Sequence, residues 1–451
     1  MSHATEGGVF AVVESWHGAV GRTPLEAARR LGLRTAFVTA DAGRYTANDA
    51  DRAAFAGCVD EVIEADTRSG EAVADALAAH QRAGRLRGVF TTNDYSVPTT
   101  AEAARLLGLP GLAPEAAHRA RHKLRTREAC DRAGVPGPAW GWARSEAEAL
   151  AAGERVGYPC VVKPMTDAGS IGVRLCRSPA QLAEYYRAIA SVPTDYRGGP
   201  RTPGALVEEY VVGFEVSVET VTSVGERTVL GVTDKALGPH PHFVEIGQSF
   251  PSLLPEPVRD RCAAHALAAL DALGHDFGAA HVEVKLTADG PRLVEVNARM
   301  PGARITRLIQ ESTGVHLQRE LVKLHTGRQP DLAVRHRRGA ASRCLTATDG
   351  GTVRAVRGEE LARRVPGLVA LDVYVRPGDA VRRARDNVDV CGSLVAVGDT
   401  AGEAVRRADA ALGQLSVDVE ADVEADVEAH VVADVQAHVE ADLRAHVEAA
   451  P

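Results

Sequence analysis

A chain of 451 residues is too long for one core and calls for roughly two to four domains. With 45% hydrophobic and 25% charged residues it has the make-up of a soluble globular protein, and no apolar run approaches the roughly 20 residues of a membrane span. The net charge of −8 is gathered at one end: from Val417 to Pro451 there are ten acids against one arginine, so the body is near neutral and offers no basic surface for nucleic acid. The opening MSHATEGGVF has no basic stretch ahead of a long apolar core, so no signal peptide is expected. Seven cysteines are scattered without a CxxC pair, which argues against a zinc site or a disulfide framework and fits a reducing cytoplasm.

From about residue 9 to 115, apolar runs alternate with helical patterns. Strands are expected at Val9–Val13, Thr35–Val38, Val59–Glu64 and Gly88–Thr91, an order that builds a doubly wound parallel sheet. The first loop, Glu14–Gly21, carries Gly18-Ala19-Val20-Gly21 before a helix running to Leu31 and could meet an anion there. It is not GxGxxG, so no dinucleotide site is expected. A helix His118–Ala133, with Lys123 inside it, stops at Gly134-Val135-Pro136-Gly137-Pro138. A further helix, Ser145–Val156, leads to the strand Tyr158–Pro164, which contains Lys163. The small-residue loop Met165–Gly172 and a strand Val173–Cys176 follow. A Walker A pattern is absent, so a nucleotide would be covered by a β-hairpin loop through its backbone N–H groups.

Strands are also expected at Leu206–Tyr210, Phe214–Thr222 and Thr228–Thr233, then a long ordered loop over Asp234–Pro257 and a helix Val258–Leu273. Next comes Ala279–Arg304, which reads as two short strands joined at Asp289-Gly290. His281, Glu283 and Lys285 share one face of the first arm, and Glu295 and Asn297 one face of the second. A turn centred on Asp289 sets Glu283 opposite Glu295 and His281 opposite Asn297. Opposed carboxylates repel, and a hard dication between them would remove the conflict, since carboxylate and amide oxygens suit Mg²⁺. Arg299 follows, where a guanidinium could meet anionic oxygens. The plain alternative is a solvated amphipathic hairpin. Helical stretches Ile305–Ser312 and Leu317–His325 come after it, then a small α+β region from about 335 without a catalytic cluster. The tail from Val417 repeats valine every fourth residue and reads as a weakly helical or disordered appendage.

In this order, Lys123, Lys163, the Gly/Ser hairpin loop, E-E-Y-V-V-G-F-E and the H-x-E…E-x-N-x-R hairpin resemble the ATP-grasp superfamily of carboxylate–amine ligases, over roughly residues 10–330. The stretch Thr233–Leu254 and the C-terminal region are most similar to the L-amino-acid ligases, although Gln248 stands where many members carry histidine. The resemblance implies an α/β and α+β multidomain protein. Its parts would be a pre-ATP-grasp domain (1–115), an ATP-grasp domain (116–330, lid about 145–212), a C-terminal α+β domain (331–415) and an acidic tail (416–451).

For the site, the resemblance implies ATP held by Lys123 and Lys163, covered by the loop at Gly169 and Ser170, with adenine against Glu208, Glu209, Tyr210 and Val211 and ribose on Glu215. It implies two Mg²⁺ ions, with Mn²⁺ as a substitute, on Glu283, Glu295 and Asn297, with Glu295 bridging. Arg299 and Lys235 would be catalytic. The amino-acid pocket would be formed by Glu245, Gln248, Gly302, Ala303 and Arg304, Ala303 leaving room for a substrate larger than alanine. The expected reaction is ADP-forming: ATP converts a carboxylate to an acyl phosphate, and an amine displaces phosphate. Small-molecule partners, a cytoplasmic setting and a homodimer as one oligomeric option complete the expectation. The rivals are a purine-pathway ligase, a biotin-carboxylase-like enzyme and a non-catalytic ATP-binding regulator.

Overall fold

The computed structural model describes residues 7–420 except 17, 47, 48 and 224. The first sheet is built from β1 (Val9–Val13), β2 (Arg34–Thr39), β3 (Glu61–Glu64) and β4 (Leu86–Phe90), all parallel, in the order β3-β2-β1-β4. The run VFAVV is apolar throughout because both faces of β1 are covered. Val9, Ala11 and Val13 pack with Val73 and Leu77 of one helix, while Phe10 and Val12 pack with Leu25 and with Leu317 and Leu321 from far along the chain. The first helix, Gly18–Arg30, takes in the last residues of the stretch expected as a loop, so Gly18 is already helical.

The expected helix His118–Ala133 is two helices, Pro114–Arg121 and Lys123–Arg132, broken at His122, whose backbone is extended. The cause is tertiary: the Lys123 amide donates to the Met165 carbonyl at 3.2 Å, which an uninterrupted helix would not allow. Lys123 therefore opens a helix.

A four-stranded antiparallel sheet forms the lid. Its strands are β5 (Trp140–Ala143), β6 (Cys160–Pro164), β7 (Arg174–Cys176) and β8 (Ala205–Glu209), in the order β5-β8-β6-β7. It starts a few residues ahead of the expected lid boundary at 145. The lid docks on the first domain through Arg197, which pairs with the buried Glu14 at 2.6 Å. Glu14 also accepts from Thr39, Thr67, Tyr45 and the Ala40 amide.

The remaining strands are β9 (Phe214–Ser223), β10 (Glu226–Leu237), β11 (Glu245–Phe250), β12 (Gly278–Thr287), β13 (Gly290–Asn297), β14 (Gly339–Thr346), β15 (Gly351–Arg357), β16 (Leu368–Val373), β17 (Ala380–Val381), β18 (Val390–Gly398) and β19 (Ser416–Glu420). Eight of them make one sheet, β13-β12-β9-β10-β11-β14-β18-β16. Two expectations change here. Asp234–Pro257 is not one long loop: β10 runs on to Leu237, and β11 fills the middle of the segment. The region after 331 also does not stand apart, since β14, β18 and β16 extend the central sheet while β17-β15-β19 form a small sheet of their own.

β19 corrects the start of the tail. Ser416–Glu420 pairs with β15, and Val417 and Val419 pack against Leu345 and Cys391; the repeat from 421 onward lies outside the described residues. Half-burying two valines is worth about 1–2 kcal/mol. A chain ended after Leu415 should therefore melt roughly 1–2 °C below one ended after Glu420. Scanning calorimetry of the two truncations decides this; equal melting temperatures would mean β19 adds nothing.

Candidate active site

A cleft of about 400 Å³ lies between the lid and the central sheet, and all nineteen residues singled out from the sequence line it. Their convergence follows from strand periodicity. Alternate residues of β12 and β13 face the cleft, and the register sets His281 opposite Asn297 and Glu283 opposite Glu295 as expected, with a bulge just after Glu283. On the neighbouring strand β9, Glu219, Ser217 and Glu215 stand beside His281, Glu283 and Lys285. Further across the sheet Lys235 pairs with Gln248, and Gln248 with Ser342. The result is a polar sheet face that the lid covers.

Buried charges of this kind survive only in partnership. Lys235 is the hub, 5% exposed, with its Nζ at 2.7 Å from Glu283, 3.1 Å from Glu215 and 3.4 Å from Glu245. Burial alone would strip its proton, but Glu245, Glu283 and Glu215 hold its pKa well above the usual lysine value. His281 sits 2.9 Å from Glu219 and 3.2 Å from Glu283; burial opposes its charge, but Glu219 prevails and its pKa rises to about 9. Burial lifts the pKa of Glu215, which Lys235 only partly offsets. The opposed carboxylates are thus relieved by separate cations, Lys235 on Glu283 and Lys123 on Glu295 at 2.7 Å, rather than standing bare.

Among the described residues no three His, Cys, Asp or Glu side chains form a metal cluster. The hairpin offers two facing carboxylates and a carboxamide, an all-oxygen set that fits a hard dication in exchange for the two lysines.

Lys123 also donates to the Asp167 carbonyl at 2.7 Å, so it ties the nucleotide-loop segment to the hairpin. Gly169, Ser170 and Gly172 all have positive φ, at 68°, 63° and 71°. That conformation is costly for Ser170 and turns the loop's backbone over the cleft.

Glu208 differs from its expected role. Its backbone is paired on both sides inside the lid sheet, to Trp140 and Val161, and its carboxylate is held by Arg127 and Lys163, each at 2.6 Å. It braces Lys163 rather than reaching for a base. Glu209 accepts from the Ala139 amide, and the Tyr210 amide donates to Pro159, while the Lys285 ammonium lies 4.9 Å over the Tyr210 ring. Arg299 is anchored by Asp94 of the first domain at 2.7 Å, and Trp16 donates to the same carboxylate. Arg304 is committed to the C-terminal strands through Asp372, Ser393 and Tyr374, so it shapes the pocket wall rather than offering a free cation. Ala303 adopts φ 49°, which lays a small side chain at the turn.

Sequence reasoning missed Asp94, which holds Arg299, Arg127, which holds the Glu208 carboxylate, and the C-terminal contribution of Cys344, Tyr374, Asn387 and Ser393 to the cleft. These sit singly in unremarkable stretches, and only the fold assembles them.

Three family descriptions match along the chain: an ATP-grasp N-terminal domain over residues 25–111, an ATP-grasp domain over 156–307 and the L-amino acid ligase C-terminal domain 2 over 343–420. The chain belongs to the ATP-grasp ligases. An uncharacterized protein of Sinorhizobium fredii is 33% identical, the match covering 84% of this chain and 76% of that protein. Carnosine synthase 1 of Gallus gallus is 30% identical over 82% of this chain but 42% of its own length. Alanine–anticapsin ligase of Bacillus subtilis is 28% identical over 54% of this chain and 55% of its own. The chain thus spans about half the length of these two named ligases. In fold it is similar to the L-amino acid ligase of Bacillus licheniformis, with a TM-score of 0.76 at 23% identity, covering 92% of this chain and 99% of that one. Membership brings the expected reaction class, ATP-dependent joining of a carboxylate to an amine, and does not favour the carboxylase or the non-catalytic rival. The family's nucleotide and magnesium come with it. Among the described residues no helix is long and apolar enough to cross a membrane.

The Glu208 carboxylate gives a stability test of the site's scaffold. Burial would raise its pKa, but Arg127 and then Lys163 pull it from 4.5 to about 2. A depressed carboxylate contributes stability above its unfolded pKa and loses it as the pH falls through the folded one. The contribution, of order 3 kcal/mol, should thus vanish between pH 4.5 and 2. Glu208→Gln should lower the unfolding free energy at neutral pH by about 3–5 kcal/mol and flatten its acid dependence, read by denaturant titration at several pH values. A variant as stable as wild type would remove the bracing role.

Proposed function

We propose that this enzyme joins two amino acids, or an amino acid and a related amine, into a dipeptide-like amide through an acyl phosphate, with release of ADP. The observation that carries the reading is the meeting of the Glu283/Glu295/Asn297 oxygens with Lys123, Lys163 and Arg299 in one cleft under a backbone loop. That set fits a polyphosphate on one side and a carboxylate on the other.

A carboxylate is a poor electrophile. Once phosphorylated, its acyl carbon is open to attack by the amine nitrogen, the C–N bond forms, and the acyl C–O bond breaks as phosphate leaves. This chain's residues do the positioning and charge compensation on which phosphoryl transfer depends. Lys123 and Lys163 hold phosphate oxygens, and the Gly169–Ser170 backbone covers them. Arg299, kept in place by Asp94, grips the reacting carboxylate. Glu283, Glu295 and Asn297 would hold magnesium, two ions in our reading, and the metal would supply charge neutralisation on the transferring phosphate. Displaced from Glu283, Lys235 keeps Glu215 and Glu245 as partners. Glu245 is the acceptor for a substrate ammonium, and Gly302 with Ala303 leaves room for a side chain larger than methyl. Gln248 is no base, so the attacking amine sheds its proton to another group or to solvent. The cysteines are free, which supports a reducing cytoplasmic setting.

The experiment is a screen of amino-acid pairs for phosphate and ADP release with Mg²⁺-ATP. Release that needs two amino acids supports the reading, whereas release with bicarbonate alone would favour carboxylation. Glu295→Gln should keep the fold, by circular dichroism, and retain under about a tenth of the rate, since a lost metal ligand costs several kcal/mol. Glu245→Ala should raise the KM for one amino acid far more than the KM for ATP; equal effects would put the ammonium site elsewhere.

A further inference from the structure

The segment between β17 and β18 reaches into the cleft from outside the ATP-grasp core. Its Asn387 makes three contacts on two functional elements. The backbone amide donates to the Gly169 carbonyl of the nucleotide loop at 3.2 Å. The side-chain oxygen accepts from the Glu245 amide at 2.8 Å, and the side-chain nitrogen donates to the Glu245 carboxylate at 3.2 Å. A carboxamide is the one short side chain able to complete that two-way clamp, because it carries an acceptor and a donor in one plane. The segment itself is firmly held: Asp386 caps a short turn over Asn387–Asp389, and Arg382 pairs with Asp389 at 2.7 Å.

Glu245 is otherwise fixed from below, by Gln248 at 3.0 Å and Lys235 at 3.4 Å. Asn387 is thus the contact that connects this carboxylate to the loop over the phosphates. Ser170 bonds the Phe243 carbonyl at 2.9 Å, which ties the loop to the entry of β11 but not to Glu245 itself.

We propose that Asn387 is a positioning residue that couples closure of the nucleotide loop to assembly of the amino-acid ammonium site. The inference rests on the reading of Gly169–Ser170 as the phosphate cover and of Glu245 as the ammonium acceptor. Nucleotide under the loop fixes Gly169, whose carbonyl accepts from the Asn387 amide, and Asn387 aims Glu245. Coupling is reciprocal, so an amino acid on Glu245 likewise tightens nucleotide binding. Amino acid is then held most tightly when the phosphate donor is in place, which limits idle capture of amino acids.

Hydrogen exchange of the full chain with and without the Mg²⁺ complex of a non-hydrolysable ATP analogue tests this. In wild type the analogue should slow exchange at least tenfold both in the 165–173 loop and at the Glu245 amide. In Asn387→Ala the loop should still be protected while the Glu245 response shrinks to under about twofold; Asn387→Asp, which keeps the acceptor for the Glu245 amide but loses the donor to its carboxylate, should retain protection there. Undiminished protection at Glu245 in Asn387→Ala would overturn the coupling. Absence of protection in the wild-type loop would instead overturn the underlying reading of the nucleotide site. With the amino-acid pair that releases most phosphate in the screen, both variants should raise the KM of the acid held by Glu245 at least tenfold, while the analogue's Kd measured without amino acid stays within twofold. If Glu245→Ala shows that shift and the Asn387 variants do not, the ammonium site stands and the coupling falls.

Discussion

Everything in this protein's centre depends on putting charged side chains on a sheet face that a lid then closes off from water. Charges so placed are costly unless each has partners. The sheet meets the cost by setting opposite charges in register across strands, with Lys235 among Glu215, Glu245 and Glu283, and Lys123 against Glu295. The lysines that keep these carboxylates quiet are also suited to oxyanions. The groups that stabilise the covered face are therefore the ones we propose for the chemistry.

The other two layers hold that face in position. The lid lends Lys163, kept rigid by Glu208 and Arg127, and the first domain lends Asp94, which fixes Arg299 from behind. The helix break at His122 matters for the same reason. It puts Lys123 at a helix start, where the positive end of the helix dipole adds to the attraction its ammonium offers an anion. Lys163 and Arg299 are thus braced by Glu208 and Asp94, groups given no direct part in the proposed reaction.

Local physics made the hairpin legible in the sequence. A period of two and an Asp-Gly turn determine which residues face each other, so the opposition of Glu283 and Glu295 could be read before any fold was known. The parallel sheet was readable for a similar reason, as apolar runs of strand length between helical patterns. The helix break was not, because nothing at His122 opposes a helix; a carbonyl 43 residues on, at Met165, makes the break. β11 was hidden by the Pro, His and Gly residues in the turn before it. Asn387 was silent altogether, since its partner Glu245 lies 142 residues away and the polar stretch around it carries no pattern. Arg304 read as a substrate cation because its carboxylate partner, Asp372, comes from the same distant region.

The continuity of the central sheet through β14, β18 and β16 has an evolutionary reading. The groups suited to phosphate chemistry sit on β12, β13 and the lid, while Tyr374 and Ser393, which line the far wall, come from the last strands of the same rigid layer. Exchange of the chain beyond about residue 338 between relatives would change which molecules are joined while leaving the energy source untouched. One framework could in this way be retuned into a repertoire of amide-forming enzymes by variation confined to its C-terminal quarter.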